Sequence, residues 1–195
     1  MSKKNDWSKV TLKQFLELQD LLEIQDENER LFAIGQLFFG DSILDSSLSS
    51  FFQEMKSLSF LKEEIPVNHL VKSIKVNDRE YRLDGVLGKI TTSQYIDYTT
   101  YLKNNDIAKI LSVFFIPKGH KYNDGGYELE EVMEDMLSLP MDVVNSTAFF
   151  FSRQFQKFIK IFQSYSIKRM KQTNLPSEKK KEIEKIINSA FYLTC

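Results

Sequence analysis

Two stretches of this chain open with the same device. Residues 10–22 read VTLKQFLELQDLL and residues 90–102 read ITTSQYIDYTTYL. Val10, Thr11, Gln14, Phe15, Leu16, Glu17 and Leu22 align with Ile90, Thr91, Gln94, Tyr95, Ile96, Asp97 and Leu102. In each copy a Thr stands three residues ahead of a Gln, at the start of an apolar-periodic run. That spacing is a capping box. The Thr hydroxyl accepts from the backbone N–H three residues on, and the Gln side chain reaches back to the Thr N–H, so two orphan donors of a helix start are satisfied. Two helix starts of the same form point to a duplicated helical architecture, the alternative being the capping and amphipathic rules that all short helices share.

The likeness continues downstream. RLFAIGQLFF (30–39) resembles DIAKILSVFF (106–115), and each ends in a Phe pair followed by a Gly-containing loop. Phe51, Met55, Leu58 and Leu61 then recur at spacings of 4, 3 and 3, as do Leu129, Met133, Met136 and Leu139. These are helical periods. They predict three short helices per copy, with residues 1–64 as a first helical unit and 89–141 as a second.

A different period lies between them. IKVNDREYRL (74–83) alternates apolar and polar residues around Asn77-Asp78, a pair tolerant of positive φ, and so predicts a β-hairpin within a connector over 65–88. A lone hairpin is marginal in water and needs a covering helix or a neighbouring subunit on its edge. After Asp142, a candidate N-cap, one long amphipathic helix is predicted to about Lys171. Phe151, Phe155, Phe158, Phe162 and Tyr165 follow at 4, 3, 4 and 3. A short final helix over 177–192 carries Ile183, Ile186, Ile187 and Phe191 on one face. The expected fold is mainly α: two similar three-helix units joined by a β-hairpin, then a long amphipathic helix and a short C-terminal helix over 142–195 with a basic surface.

Composition excludes several function classes. Cys195 is the single cysteine, so an internal disulfide and a cysteine zinc site are both excluded. There is no apolar run long enough for a membrane span, and Met1 to Trp7 lacks the apolar stretch of a secretory signal, which reads as an intracellular protein. His69 and His120 lack the helical spacing of a metal pair. His120 lies in a loop with Lys118, Lys121 and Asp124, where a solvated histidine is the expected reading and a catalytic His–Asp pair the alternative. The loop glycines Gly119, Gly125 and Gly126 are not followed by the Lys-Ser/Thr of a phosphate loop. The acidic run Glu128, Glu130, Glu131, Glu134 and Asp135 is explained by a helix N-terminus. No cofactor, metal or small-molecule substrate is expected, and no enzymatic activity.

Charge is unevenly placed. Residues 153–185 carry ten cations and three anions, a balance of +7, and the remainder carries 16 cations and 24 anions, a balance of −8, giving the net −1. Such segregation suits a solvated basic helix pair, head-to-tail packing of basic tail on acidic body in a homo-oligomer, or non-specific proximity to DNA. The 16 phenylalanines exceed what the core of one small monomer holds, so an exposed aromatic interface is expected. Its candidates are Phe151, Phe155, Phe158, Phe162 and Tyr165 in the long helix, for which packing on the protein's own helices is the default reading and a membrane-surface helix a further one, Tyr122 and Tyr127 in the glycine loop taken as a mobile contact loop, and Tyr81 in the hairpin.

The capped segment 90–102, the apolar helix ending Phe-Phe-Ile-Pro (114–117), Tyr122, the acidic helix leading to Leu-Pro-Met (139–141) and the Phe triplet 149–151, with IKVNDREYRL before them, resemble small proteins encoded among the head–tail and tail genes of tailed bacteriophages of the crAss-like type. The resemblance covers roughly residues 65–152 and rests on framework positions, so it carries over no functional residues. It implies a virion structural protein of the neck or tail, assembled in the host cytoplasm. Such a protein is a ring or connector subunit contacting portal, ring or tail proteins; the alternative is a tail-assembly chaperone absent from the mature particle.

Overall fold

The structure is a computed structural model that describes residues 6–84, 90–172 and 176–190; the side chains of 155–163, and of scattered positions beyond them in the last two helices, lie outside the description. Among these residues the protein is mainly helical with one small antiparallel sheet, as the sequence predicts. The chain clusters into two compact units. One holds the described residues up to Asp84 together with Ile90–Phe149, and so contains both helical repeats and the hairpin. The other takes the described residues from Phe150 onward.

In the first repeat α1 spans Leu12–Leu21, α2 Glu27–Phe39 and α3 Leu48–Ser57, the last continued by a 3-10 turn at Leu58–Lys62. In the second, α4 spans Thr92–Lys103, α5 Ile107–Phe114 and α6 Leu129–Leu137. Both capping boxes form. Thr11 Oγ1 accepts from the Gln14 N–H at 3.2 Å and Gln14 Oε1 from the Thr11 N–H at 3.1 Å; the matching distances at Thr91 and Gln94 are 3.2 and 2.9 Å. The second helix of each repeat is capped by an aspartate, Asp26 or Asp106, fifteen residues after its Thr. The repeats therefore stay in phase, 80 residues apart, through their second N-cap.

The Phe pairs fall out of that phase. α2 continues to Phe39 and ends at Gly40, whose φ of 77° a residue with a Cβ adopts only with strain. α5 stops after Phe114, because Pro117 has no N–H to donate and its ring would strike the Val113 carbonyl. The chain there turns into a strand, β3 (Phe115–Pro117), so Phe115 belongs to the sheet and not to the helix end the sequence predicts.

The hairpin forms as expected, with β1 at Ser73–Val76, β2 at Arg79–Leu83, and Tyr81 opposite Ile74. Asn77 and Asp78 have φ of 47° and 62°, the two positive values a type I′ turn demands. The sheet order is β1-β2-β3, so the hairpin takes its third strand from its own chain. The core lies where this sheet meets both repeats, around Trp7, Leu12, Tyr81, Leu111, Phe115 and Met136.

A two-bond bridge closes this unit. The Leu12 N–H donates to the Leu139 carbonyl and the Met141 N–H to the Val10 carbonyl, each at 2.8 Å. The long helix α7 (Met141–Lys171) starts there. Its first turn is opened by the Pro140 carbonyl, which accepts from the Val144 N–H at 3.0 Å. Asp142 is accordingly one residue inside the helix and not its N-cap. The last helix, α8, spans Ser177–Ala190; Phe191 lies outside the described residues.

Candidate interaction surface

The aromatic residues singled out in the sequence have different fates. Tyr81 is fully buried, so it is no surface residue. Strand alternation puts it with Ile74 on the inner face, and its hydroxyl donates to Asp135 Oδ2 on α6. The other carboxylate oxygen of Asp135 accepts from Asn77 Nδ2 at 2.7 Å. Arg79 Nε stands 3.7 Å from Asp135 Oδ2, and Arg79 Nη1 donates to Glu131 at 2.7 Å. Asp135 is only 3% exposed. It is thus a buried carboxylate that ties the hairpin to α6, rather than one more member of an acidic helix start. Burial, and then the bond to Asp135, push the Tyr81 phenol well above its ordinary range. The sequence signal for Asp135 was its place three residues after Val132 on the apolar face of α6.

The glycine loop is pinned. Tyr122 is buried and donates to Asp97 Oδ2 of α4 at 2.7 Å; burial, then that bond, raise its phenol. Asp124 accepts from the backbone N–H groups of Lys121 (2.8 Å) and Gly126 (2.9 Å), which hold its carboxyl below the usual range. Its Oδ2 lies 3.3 Å from His120 Nδ1, and His120 meets the half-buried Tyr127 edge-on at 5.7 Å. These contacts organise a turn. In the second unit Phe151 is buried and packs edge-on to Phe150 at 5.6 Å. The side chains of Phe155, Phe158, Phe162 and Tyr165 lie outside the described residues.

An aromatic surface does exist, in a place the sequence reading did not choose. α2 is apolar on nearly every side from Leu31 to Phe39, a pattern that belongs to a helix buried all round. Yet Gly35 is its only buried residue, whereas its counterpart α5 buries Ala108, Leu111, Ser112, Val113 and Phe114. α3 crosses α2 at Gly35, where an added Cβ would stand 2.9 Å from the Phe51 ring. Phe51 is buried at this crossing, with the Phe32 ring at 5.1 Å and the Phe52 ring at 5.6 Å. Above it Phe32 is 39%, Leu44 49%, Leu48 68% and Phe52 51% exposed. Leu48 and Phe52 lie one turn apart on the same face of α3. Phe32 and Phe52 both meet the Phe51 ring, and with Leu48 and Leu44 they leave exposed apolar surface of the kind that marks an interface.

The segment that carries these residues is acidic. From Gln14 to Met55 there are nine anions and one cation, Arg30, a balance of −8. Glu27, Glu29, Asp41, Asp45 and Glu54 are all exposed, and among the described residues no cation pairs with any of them. Residues 153–185 hold the +7, and the rest of the chain balances at 15 cations and 15 anions. The entire charge asymmetry thus belongs to two places, the α1–α3 segment and the C-terminal helices. Among the described residues no group of three or more His, Cys, Asp or Glu could hold a metal ion, and no helix is long and apolar enough to cross a membrane. No protein-family model, no curated protein and no solved structure matches the chain.

Proposed function

We propose that this chain is a non-enzymatic structural subunit that works by assembling with copies of itself and with companion proteins. The exposed apolar face of Phe32, Leu44, Leu48 and Phe52 carries the reading. A half-covered aromatic face on an otherwise well-packed repeat is stabilised by association, at about 25 cal/mol per Å² of apolar surface removed from water. The side chains best equipped for chemistry, His120, Asp124, Tyr81 and Asp135, are engaged in holding a turn and a hairpin, which favours scaffold over catalyst. The resemblance of residues 65–152 to head–tail proteins of tailed phages supports a role in the neck or tail of a virion, as part of a connector or tail ring.

Light scattering coupled to size-exclusion chromatography on the full chain tests the assembly. A defined oligomer is the expected result; a monomer across the micromolar range, with no partner among co-expressed virion proteins, refutes it. Mass spectrometry of purified particles tests the placement, since a structural subunit is present in stoichiometric amount whereas an assembly chaperone is lost.

A further inference from the structure

The exposed face needs a partner that is both apolar and basic. The segment that carries it repels phosphates and anionic lipid, because Glu27, Glu29, Asp41, Asp45 and Glu54 are exposed and, among the described residues, have no cationic partner. From Val143 to Ser177 this chain has no Asp or Glu, while it has six cations (Arg153, Lys157, Lys160, Lys168, Arg169 and Lys171) and the aromatic series Phe155, Phe158, Phe162 and Tyr165. Residues 153–171, the C-terminal part of α7, combine the two properties the face demands. That part is also present at the concentration of the face itself, because each copy carries one of each. The charges on the two segments nearly cancel within each copy, leaving a net −1, so copies approach one another with little overall repulsion.

We infer that the α2–α3 face of one copy is the docking site for the basic aromatic part of α7 in a second copy. The inference rests on the self-assembly reading above and specifies its interface. The two surfaces are different, so the contact is heterologous. Each copy gives its helix to one neighbour and accepts a helix from the other, and the assembly closes as a ring or runs on as a filament according to its rotation per step. In that contact the exposed carboxylates Asp41, Asp45 and Glu54 set the orientation of a basic segment, and Phe32, Leu48 and Phe52 supply the apolar centre beside Phe51.

The test uses the full chain, made separately with light and heavy nitrogen, mixed, and coupled with a zero-length carboxyl–amine cross-linker. Links between carboxylates of residues 27–54 and lysines of 157–185 that join light to heavy chains are expected. The double variant Leu48→Glu/Phe52→Glu alters exposed side chains only, and Glu at the first turn of α3 suits the helix dipole, so folding is retained by circular dichroism. Self-association then weakens by more than about 30-fold, the loss expected of a central interface anchor. The variant Asp45→Lys/Glu54→Lys leaves the apolar centre intact, and it also weakens assembly, with partial rescue by Lys157→Glu/Lys160→Glu. An oligomer whose mass and affinity are unchanged in both α3 variants overturns this interface while leaving the subunit reading standing. Links confined to single chains overturn it as well. A wild-type chain that stays monomeric overturns both.

Discussion

Replacing Tyr81 by Phe isolates one hydrogen bond without opening a cavity. The ring stays in place on the inner face of β2, and only the hydroxyl that donates to Asp135 is lost. A hydrogen bond to a charged group contributes about 1.5–3 kcal/mol. Asp135 keeps Asn77 at 2.7 Å and Arg79 Nε at 3.7 Å, so its carboxylate is not stranded and the lower half of that range applies, about 2 kcal/mol. With a urea dependence of about 2 kcal/mol per molar, the midpoint falls by roughly 1 M. Trp7 is the only tryptophan and is buried in the core of the same unit, so its fluorescence follows the unfolding of this unit. The pH dependence supplies a second check. The folded Tyr81 pKa lies above the unfolded value of 10.0, so its stabilising contribution is fully present below pH 10 and is lost as pH rises above it. Tyr98, raised to about 12 by burial, declines in wild type and variant alike. The gap between Tyr81→Phe and wild type therefore holds constant from pH 7 to about 9 and narrows at higher pH. A midpoint shift below about 0.3 M, or a gap that widens above pH 10, refutes the account of the Asp135 tie.

Three further outcomes are expected. Thr11→Ala and Thr91→Ala each cost about 1 kcal/mol in urea unfolding, as the loss of equivalent caps requires. Gln94→Ala costs more than Gln14→Ala by about 1 kcal/mol in the same assay, because buried Gln94 also donates to the Val113 carbonyl at 3.1 Å. Gly35→Ala pits helix propensity, a gain of about 1 kcal/mol, against a Cβ 2.9 Å from the Phe51 ring; overpacking of about 1–3 kcal/mol prevails, and the melting temperature falls.

Local chemistry made most of this fold readable in advance. Thr11 and Thr91 with their glutamines announced α1 and α4, and Asn77-Asp78 between alternating residues announced the hairpin and its turn. What escaped depends on contacts distant in sequence. Phe115 and Ile116 read as the last residues of an apolar helix, and they become a strand because β2 has a second edge to pair while Pro117 forbids the helix. Tyr81 read as an aromatic ready for a partner; its partner is Asp135, 54 positions later. Phe32 and Phe52 are exposed on α2 and α3, whereas the periodic seam after Phe151 gives the stronger sequence signal for an aromatic surface. Periodicity alone makes α2 a buried helix, and only its packing shows that Gly35 alone is fully buried and that Phe32 lies at the surface.

The pair of bonds joining Val10 and Leu12 to Leu139 and Met141 sets a timetable for biosynthesis. Trp7, Val10 and Leu12 leave the ribosome roughly 130 residues ahead of the segment that covers them, an interval on the order of ten seconds at about 5–20 residues per second. Throughout that interval the nascent first repeat carries a second raw apolar surface beside the α2–α3 face. Copies translated side by side on one message would meet in that state, before the clasp shuts.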